Sequence, residues 1–84
     1  MEIVFHGKFK KKLKKLPSKI QDQFYDRLDL FVKDKNHQML NNHSVDRAFF
    51  NCRSINVTGD YRAIFREGKN TVIFITIGTH AELY

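Results

Sequence analysis

The chain has 84 residues, 42% of them hydrophobic and 13% aromatic, which is enough for one domain with an apolar core and argues against disorder. Its single cysteine, Cys52, excludes an internal disulfide, and no Cys/His pair has the spacing of a zinc site, so we predict no metal and no cofactor. The sequence shows no signal peptide and no apolar run of about 20 residues, so it predicts a soluble cytoplasmic protein. The net charge of +6 favours an anionic partner.

The N-terminal residues are predicted to form a short strand followed by a lysine-covered helix. Residues 2–5 (EIVF) are β-branched and aromatic, and a His-Gly pair ends that run. Phe9, Leu13 and Leu16 then recur at helical spacing and form one narrow apolar stripe. Because lysines three and four residues apart repel each other, we expect packing of this stripe to hold the helix.

The positive charge of the chain is concentrated on this first helix. Residues 1–19 carry seven lysines against one glutamate, whereas the eight basic and eight acidic residues of 20–84 cancel. A focused basic surface favours nucleic acid or an acidic protein as partner, and a solvated helix face without a partner is the alternative. Membrane binding is not favoured, because the stripe has only three residues and no second anchor.

A second helix is predicted after Pro17. Ser18 and Gln21 stand three residues apart and match a capping box. The apolar residues that follow at helical spacing are Ile20, Phe24, Leu28 and Phe31. We expect this helix to end near residues 35–36 and to form a helical hairpin with the first helix, with one apolar side.

Three strands are predicted after a polar loop at residues 36–48, in which Met39 and Leu40 are expected to point inward. The strands are FFNCRSINV (49–57), DYRAIFRE (60–67) and TVIFITI (71–77), with turns at residues 58–59 and 67–70. The last strand is almost continuously apolar, which is typical of a central strand covered on both faces.

The resulting fold class is α+β, with the element order β-α-α-β-β-β. We predict a small, mostly antiparallel twisted sheet with the helical hairpin packed on one face. The opposite face of the sheet is then left for function.

The element order, the segment INVTGDYRAIF and the ending IGTHAELY resemble the RelE/ParE superfamily of toxins from bacterial toxin–antitoxin pairs. Within it, the YafQ-like branch of ribosome-dependent mRNA endoribonucleases is the most similar. The resemblance is best over residues 43–84, and the pattern G-T-H-x-x-L-aromatic is its most specific part. It implies one RelE-like toxin domain over residues 1–84, a cognate antitoxin partner, and action on mRNA at the ribosome. The superfamily also includes ParE-like toxins that inhibit DNA gyrase without cutting RNA, and a plain nucleic-acid-binding module is a further alternative.

The resemblance also assigns candidate catalytic residues. His80 matches the catalytic histidine near the C-terminus of the YafQ branch, and Asp60 matches the aspartate that opens the penultimate strand. Arg62 matches the arginine that RelE uses on the scissile phosphate. His43 falls where the branch has a histidine in a loop, although here Ser-Val follows it.

The predicted RNA-binding residues include two matches and one departure from the branch. Arg53 matches a basic strand residue, and Tyr84 matches the terminal aromatic. Asn56 stands where the branch has another histidine, and Tyr61 where it has tryptophan; asparagine cannot titrate, so Asn56 cannot transfer a proton. The lysines predicted to contact ribosomal RNA are Lys8, Lys10, Lys11, Lys12, Lys14 and Lys15.

RNA cleavage by the 2′-hydroxyl needs a base for that hydroxyl, cations for the charge on the phosphorane, and an acid for the 5′-oxygen. Histidine suits the acid and base roles because imidazole titrates near neutral pH. We expect Asp60 to orient His80, and Arg62 and Arg53 to hold phosphate oxygens. Strand alternation favours Arg62, because Arg53 shares the parity of core positions and needs a bulge or a strand end to reach the site.

Overall fold

The structure is a computed structural model that describes residues 1–84, with five strands and three α-helices. The elements are β1 (Glu2–Phe5), α1 (Gly7–Lys15), α2 (Ser18–Lys33), β2 (His43–Ser44), β3 (Arg53–Asn56), β4 (Tyr61–Gly68), β5 (Thr71–Thr79) and α3 (His80–Leu83). A short 3₁₀ turn at Gln38–Leu40 precedes β2. The predicted α+β order is confirmed, and β2 and α3 are additions that the sequence analysis did not contain.

The five strands form one mixed sheet in the order β1-β5-β4-β3-β2. β1 runs parallel to β5, and the other pairs are antiparallel. β5 therefore lies between two strands, as its apolar run predicted. β1 ends where Phe5 pairs with Phe74, so residues 75–79 of β5 have no strand on that side. We call these five residues the open edge of β5.

A β-bulge interrupts the pairing of β4 with β5. Ile64 pairs with Thr76 and Phe65 pairs with Phe74, which leaves Ile75 as an extra residue in β5. The bulge resets the alternation of side chains, and Phe74 and Ile77 consequently both join the core under the helices. Strict alternation would have sent these two side chains to opposite faces.

The main core lies between the helical hairpin and one face of the sheet, and it is aromatic. Its fully buried rings are Phe9, Phe24, Phe31, Phe65 and Phe74. The ring of Phe74 is at the centre, with five ring centroids at 5.4 to 5.9 Å. The predicted core face of α2 is confirmed, because Phe24 and Phe31 are buried while Ile20 and Leu28 pack against the same cluster.

A smaller cluster covers part of the opposite face of the sheet. Val45, Cys52 and Ile64 are buried there, and Ile75 and Leu83 pack against them. Burial raises the pKa of the Cys52 thiol, which holds it in the neutral form. This second cluster anchors β2 and α3 on the face that was predicted to be left for function.

The predicted capping box of α2 is wrong. Pro17 occupies the N-cap position and offers no side-chain hydrogen bond, and Ser18 is already helical. The Gln21 side chain instead donates to the carbonyl of Leu16 at 2.8 Å and to that of Lys14 at 3.4 Å. Gln21 therefore satisfies carbonyls at the end of α1 and ties the two helices together.

Two predictions in the loop region are also wrong. Met39 is half-exposed while Leu40 is fully buried, because the 3₁₀ turn directs the two neighbours to different sides. The strand predicted from residue 49 begins only at Arg53, and Phe50 is 87% exposed. Asn51 adopts a left-handed conformation with φ of 61°, and its N–H donates to the Asp46 carboxylate at 2.8 Å, so residues 45–52 form turns.

None of the helices is both long enough and apolar enough to span a membrane.

Replacing Phe74 with alanine should destabilise the fold strongly, because the ring contacts five others and its removal leaves a cavity. We expect the free energy of unfolding to fall by about 3–5 kcal/mol, measured by urea denaturation. The matched control is Phe50→Ala, which should change it by less than about 0.5 kcal/mol because this ring is in solvent. Equal losses in the two variants would contradict the central role of Phe74.

Candidate active site

The position of His80 is fixed by the capping box of α3. Thr79 is the N-cap; its hydroxyl accepts from the Glu82 N–H at 3.2 Å, and the Glu82 carboxylate accepts from the Thr79 N–H at 2.8 Å. His80 is therefore the first helical residue, directly after β5. Its own N–H donates to the carbonyl of Asp60 at 2.9 Å, which ties α3 to the turn before β4.

A sequence signal for this arrangement was present and was missed. Thr79-His80-Ala81-Glu82 has the T-x-x-E pattern of a capping box and predicts a helix that begins at His80. The Thr79 hydrogen bonds, with a smaller contribution from the charge of Lys12, hold the pKa of the Glu82 carboxyl below its ordinary value.

Tyr84 flanks the imidazole of His80. The two ring centroids are 4.8 Å apart, and the ring of Phe49 packs against Tyr84 in a T-shaped arrangement with a centroid distance of 6.4 Å. The Tyr84 N–H donates to the carbonyl of His80 at 3.0 Å. Tyr84 remains 45% exposed, so its ring is available beside the imidazole.

A cleft of about 300 Å³ brings together four of the predicted site residues from three elements. Its lining is Asn41, His43, Val45, Arg62, His80 and Tyr84. Asn41 and Val45 were not among the predicted residues, and no local pattern in the sequence distinguishes them. The cleft lies on the sheet face opposite the helical hairpin, where the prediction placed the function.

His43 has a defined tautomer in this cleft. Its Nδ1 is 2.7 Å from the carbonyl oxygen of Asn41. A carbonyl can only accept, so Nδ1 carries the proton and Nε2 of the neutral ring keeps its lone pair. An imidazole held in this way can accept a proton through Nε2.

Arg62 is anchored through only one of its nitrogens. Nη1 donates to the carbonyls of Thr58, Gly59 and Tyr61 at 3.0 to 3.1 Å. The Thr58 hydroxyl shapes this turn by accepting from the N–H groups of Asp60 and Tyr61. Nε and Nη2 of Arg62 make no hydrogen bond with the protein, which leaves donors for an anionic ligand.

Asp60 and Arg53 do not line the cleft. The Asp60 carboxylate is exposed and makes no hydrogen bond or ion pair, so Asp60 touches His80 only through its carbonyl. Arg53 donates through Nε to the Asn42 side chain at 2.7 Å and lines a separate pocket. No bulge occurs in β3, and Arg53 pairs with Phe65, a residue of the main core.

Asn56 lies on the site face, directly opposite Arg62 in the pairing of β3 with β4. Its Oδ1 is buried and has no hydrogen-bond partner. The β-carbons of such facing residues are about 4.5–5.5 Å apart, so Asn56 offers an acceptor beside the guanidinium. Ser54, two residues earlier, also buries an unpartnered hydroxyl.

The lysines of α1 differ in their surroundings. The exposed ones are Lys8, Lys10, Lys11, Lys14 and Lys15, whereas Lys12 is partly buried. Lys12 Nζ donates to the hydroxyl of Thr76 on β5 at 3.2 Å.

No group of three or more His, Cys, Asp or Glu side chains is arranged to hold a metal ion.

A family model described as the ParE toxin of the type II toxin–antitoxin system parDE matches residues 3–84. Among solved structures, YafQ from E. coli strain BL21(DE3) superposes with a TM-score of 0.81 at 18% identity, over 99% of this chain and 97% of that one. The YoeB/ParE toxin from Agrobacterium tumefaciens gives 0.76 at 12% identity, over 95% and 99%.

The RelB–RelE antitoxin–toxin complex from Methanococcus jannaschii is similar as well, with a TM-score of 0.75 at 20% identity, over 96% of this chain and 94% of that one. No curated protein matches the chain by sequence. At these identities the structural likeness concerns the fold, and it confirms the predicted α+β architecture.

Replacing Glu82 with glutamine tests the capping box, because glutamine still accepts a hydrogen bond at this position but does not titrate. A carboxyl whose pKa is lowered by folding stabilises the folded state above its ordinary pKa and loses that effect as the pH falls. We therefore expect α3 to be better formed in the wild type than in Glu82→Gln at neutral pH. The difference should vanish well below pH 4.5, the ordinary carboxyl value.

The measurement is the set of NMR Cα shifts of residues 80–83 in both proteins across this pH range. A difference between wild type and variant that persists unchanged in acid would contradict the assignment.

Proposed function

The chain belongs to the ParE toxin family of type II toxin–antitoxin systems, and we propose that it is a ribosome-dependent endoribonuclease that cleaves messenger RNA. The observation that carries the proposal is the cleft in which His43, His80 and Arg62 meet. Two imidazoles and a guanidinium supply the acid, base and cation that cleavage by the 2′-hydroxyl needs. The proposed reaction uses no metal.

In the proposed mechanism, the two histidines take the proton-transfer roles. Nε2 of His43 has a free lone pair, because Nδ1 donates to the carbonyl of Asn41, so His43 accepts the proton of the 2′-hydroxyl. The His80 imidazole has no hydrogen-bond partner in the protein and protonates the departing 5′-oxygen. Asp60 adds its negative charge near the site and holds His80 through its carbonyl.

Arg62 stabilises the charge that develops on the phosphate. Its anchored Nη1 fixes the guanidinium, and Nε and Nη2 remain to donate to two phosphate oxygens. The Asn56 side chain faces Arg62 across the strand pair, and its amide turns from its buried position to bind a ribose hydroxyl or a base N–H. Asn56 thereby contributes binding where the related branch has a titratable histidine.

Tyr84 provides a stacking surface for a base next to the scissile bond. Its ring is packed against Phe49 on one side and is partly exposed next to His80. Stacking of a base on an aromatic ring contributes about 1–3 kcal/mol. The exposed lysines of α1 and Arg53 then hold neighbouring RNA segments through phosphates, which makes binding sensitive to salt.

The partner we propose for regulation is a cognate antitoxin. The similar RelE of Methanococcus jannaschii was solved with its antitoxin RelB. The excess of six positive charges on residues 1–19 fits an acidic segment of such a partner. An antitoxin neutralises this toxin by covering α1 or by displacing α3 from the cleft.

A His80→Ala variant should lose mRNA cleavage by about 10²–10⁴-fold while keeping its fold, because it removes a proton-transfer group and no buried side chain. Cleavage is measured by toe-printing of a translated mRNA with purified protein, and the fold by circular dichroism. His37→Asn is the matched control. It removes an imidazole that does not line the cleft, and the asparagine side chain keeps an acceptor for the N–H of Met39. Undiminished cleavage by a folded His80→Ala variant would refute the nuclease proposal.

A second candidate function is inhibition of DNA gyrase, because the matching family model describes ParE toxins. Gyrase inhibition would need the basic surface and would not need the imidazole of His80. Under this alternative, His80→Ala still arrests growth and still inhibits DNA supercoiling by purified gyrase, and no mRNA is cleaved. Under the nuclease proposal, neither wild type nor variant affects gyrase.

A further inference from the structure

A second depression adjoins the cleft, and we call it the side pocket. Its volume is about 350 Å³, and it shares Val45 and Tyr84 with the lining of the cleft. Apart from Tyr84, its lining is one stretch of chain at the end of β2: Ser44, Val45, Asp46, Arg47 and Ala48. Sites for small ligands have volumes of roughly 300–1,000 Å³, so the side pocket has a size that suits a single nucleobase.

The stretch that lines the side pocket is held by hydrogen bonds within the protein. The carbonyl of Val45 accepts from the N–H of Ala48 at 3.0 Å and from that of Phe49 at 2.8 Å, which closes a single turn. The Asp46 carboxylate accepts from the N–H of Asn51 at 2.8 Å, which ties this turn to the left-handed residue that follows it. The side pocket is therefore formed without a ligand.

Tyr84 is the wall between the cleft and the side pocket. Its ring centroid is 4.8 Å from that of His80, and the T-shaped contact with Phe49 supports the ring. The residue is 45% exposed, so part of the ring is accessible to a ligand. An RNA chain with its scissile phosphate at Arg62 can thus stack the adjoining base on Tyr84 and direct the edge of that base into the side pocket.

Asp46 and Arg47 bring two charges of opposite sign to the side pocket. The one salt bridge of the structure joins Lys35 and Glu67, so Asp46 and Arg47 form an ion pair neither with each other nor with another residue. An ionised carboxylate offers about four acceptor sites, of which the N–H of Asn51 uses one. The exposed guanidinium of Arg47 adds N–H donors in a planar fork. Acceptors and donors therefore stand side by side in the side pocket.

We propose that the side pocket binds the base next to the scissile phosphate and selects guanine. This inference rests on the proposed nuclease function. Guanine has two donors on one edge, N1–H and the N2 amino group, which fit the carboxylate of Asp46. Its acceptors O6 and N7 lie on the adjacent edge and fit the fork of Arg47. Adenine has no donor at N1, cytosine has none at N3 and uracil has no amino group, so each leaves part of the charged pair without a partner.

The cleavage test uses translated mRNAs that differ only in the base next to the cut, with toe-printing as the measurement. Wild type should cleave the guanine substrate about 10–100-fold more efficiently than the others. Asp46→Asn keeps an acceptor for the N–H of Asn51 but replaces the second oxygen with a donor, so this ratio should fall close to one. The matched control is Asp29→Asn, an exposed position on α2, which should leave the ratio unchanged. Equal ratios in wild type and Asp46→Asn would overturn the inference and leave the proposed function standing.

Two further variants separate the shape of the side pocket from its charge. Ala48→Leu fills part of the pocket from an exposed position, so it should raise KM for every substrate. Arg47→Gln removes the fork for O6 and N7 and should lower the guanine ratio. Arg66→Gln removes an exposed positive charge that lines neither the cleft nor the side pocket, so it should not change the ratio. Circular dichroism confirms that each variant is folded. An unchanged KM in folded Ala48→Leu would contradict binding of a base in the pocket.

A binding measurement separates failure of the inference from failure of the proposed function. The trinucleotides U-G-U and U-A-U with 2′-O-methyl groups cannot be cleaved, and each is titrated into the protein while NMR follows the amides of residues 44–48 and the ring of Tyr84. We expect U-G-U to bind about 10-fold more tightly and Asp46→Asn to abolish the difference. This result supports the guanine site even if the protein cuts no RNA. Equal affinities for the two, or shifts that spare residues 44–48, overturn the inference.

Discussion

The ring of Phe74 is the contact on which the rest of the structure depends. It touches rings from β1, α1, α2 and β4 at once, so the helical hairpin and the sheet meet at this residue. Each such aromatic pair contributes about 0.5–1.5 kcal/mol beyond the burial of its area. β5 carries Phe74 and continues without a loop into α3, and the position of His80 therefore follows from the packing of the core.

The bulge at Ile75 changes the face of the sheet to which the later side chains of β5 point. With Phe74 facing the helices, strict alternation would direct Thr76 and Gly78 toward the helices as well. The extra residue moves both to the opposite face, where Gly78 meets Arg62 and Thr76 meets Lys12. Bulges commonly re-aim side chains next to functional sites, and here one irregular residue separates the core positions of β5 from its positions on the face of the candidate site.

The sequence predicted the elements whose periodicity is strong and local, namely α2 with its Phe24 and Phe31 face and the two long strands. It failed where a single residue overrides a pattern. Asn51 adopts a left-handed conformation and interrupts the strand that Phe49 and Phe50 favoured. Pro17 occupies the N-cap position of α2 that was predicted for Ser18. The cleft was predictable in part, because alternation placed Arg62 on the correct face. The neighbours of His43 and Lys12 depend on tertiary contacts that no local pattern contains.

The spacing of Lys12 nevertheless held a signal. Lys12 stands three residues after Phe9 and four before Leu16, which places it beside the buried stripe rather than on the outer face of α1. A lysine there must extend past the edge of the sheet to keep its ammonium in water or near an acceptor. The lysines on the outer face repel one another, and any polyanion relieves that repulsion. Under the proposed function, RNA and an acidic antitoxin compete for these outer charges, whereas Lys12 is partly buried against β5 and donates to the hydroxyl of Thr76.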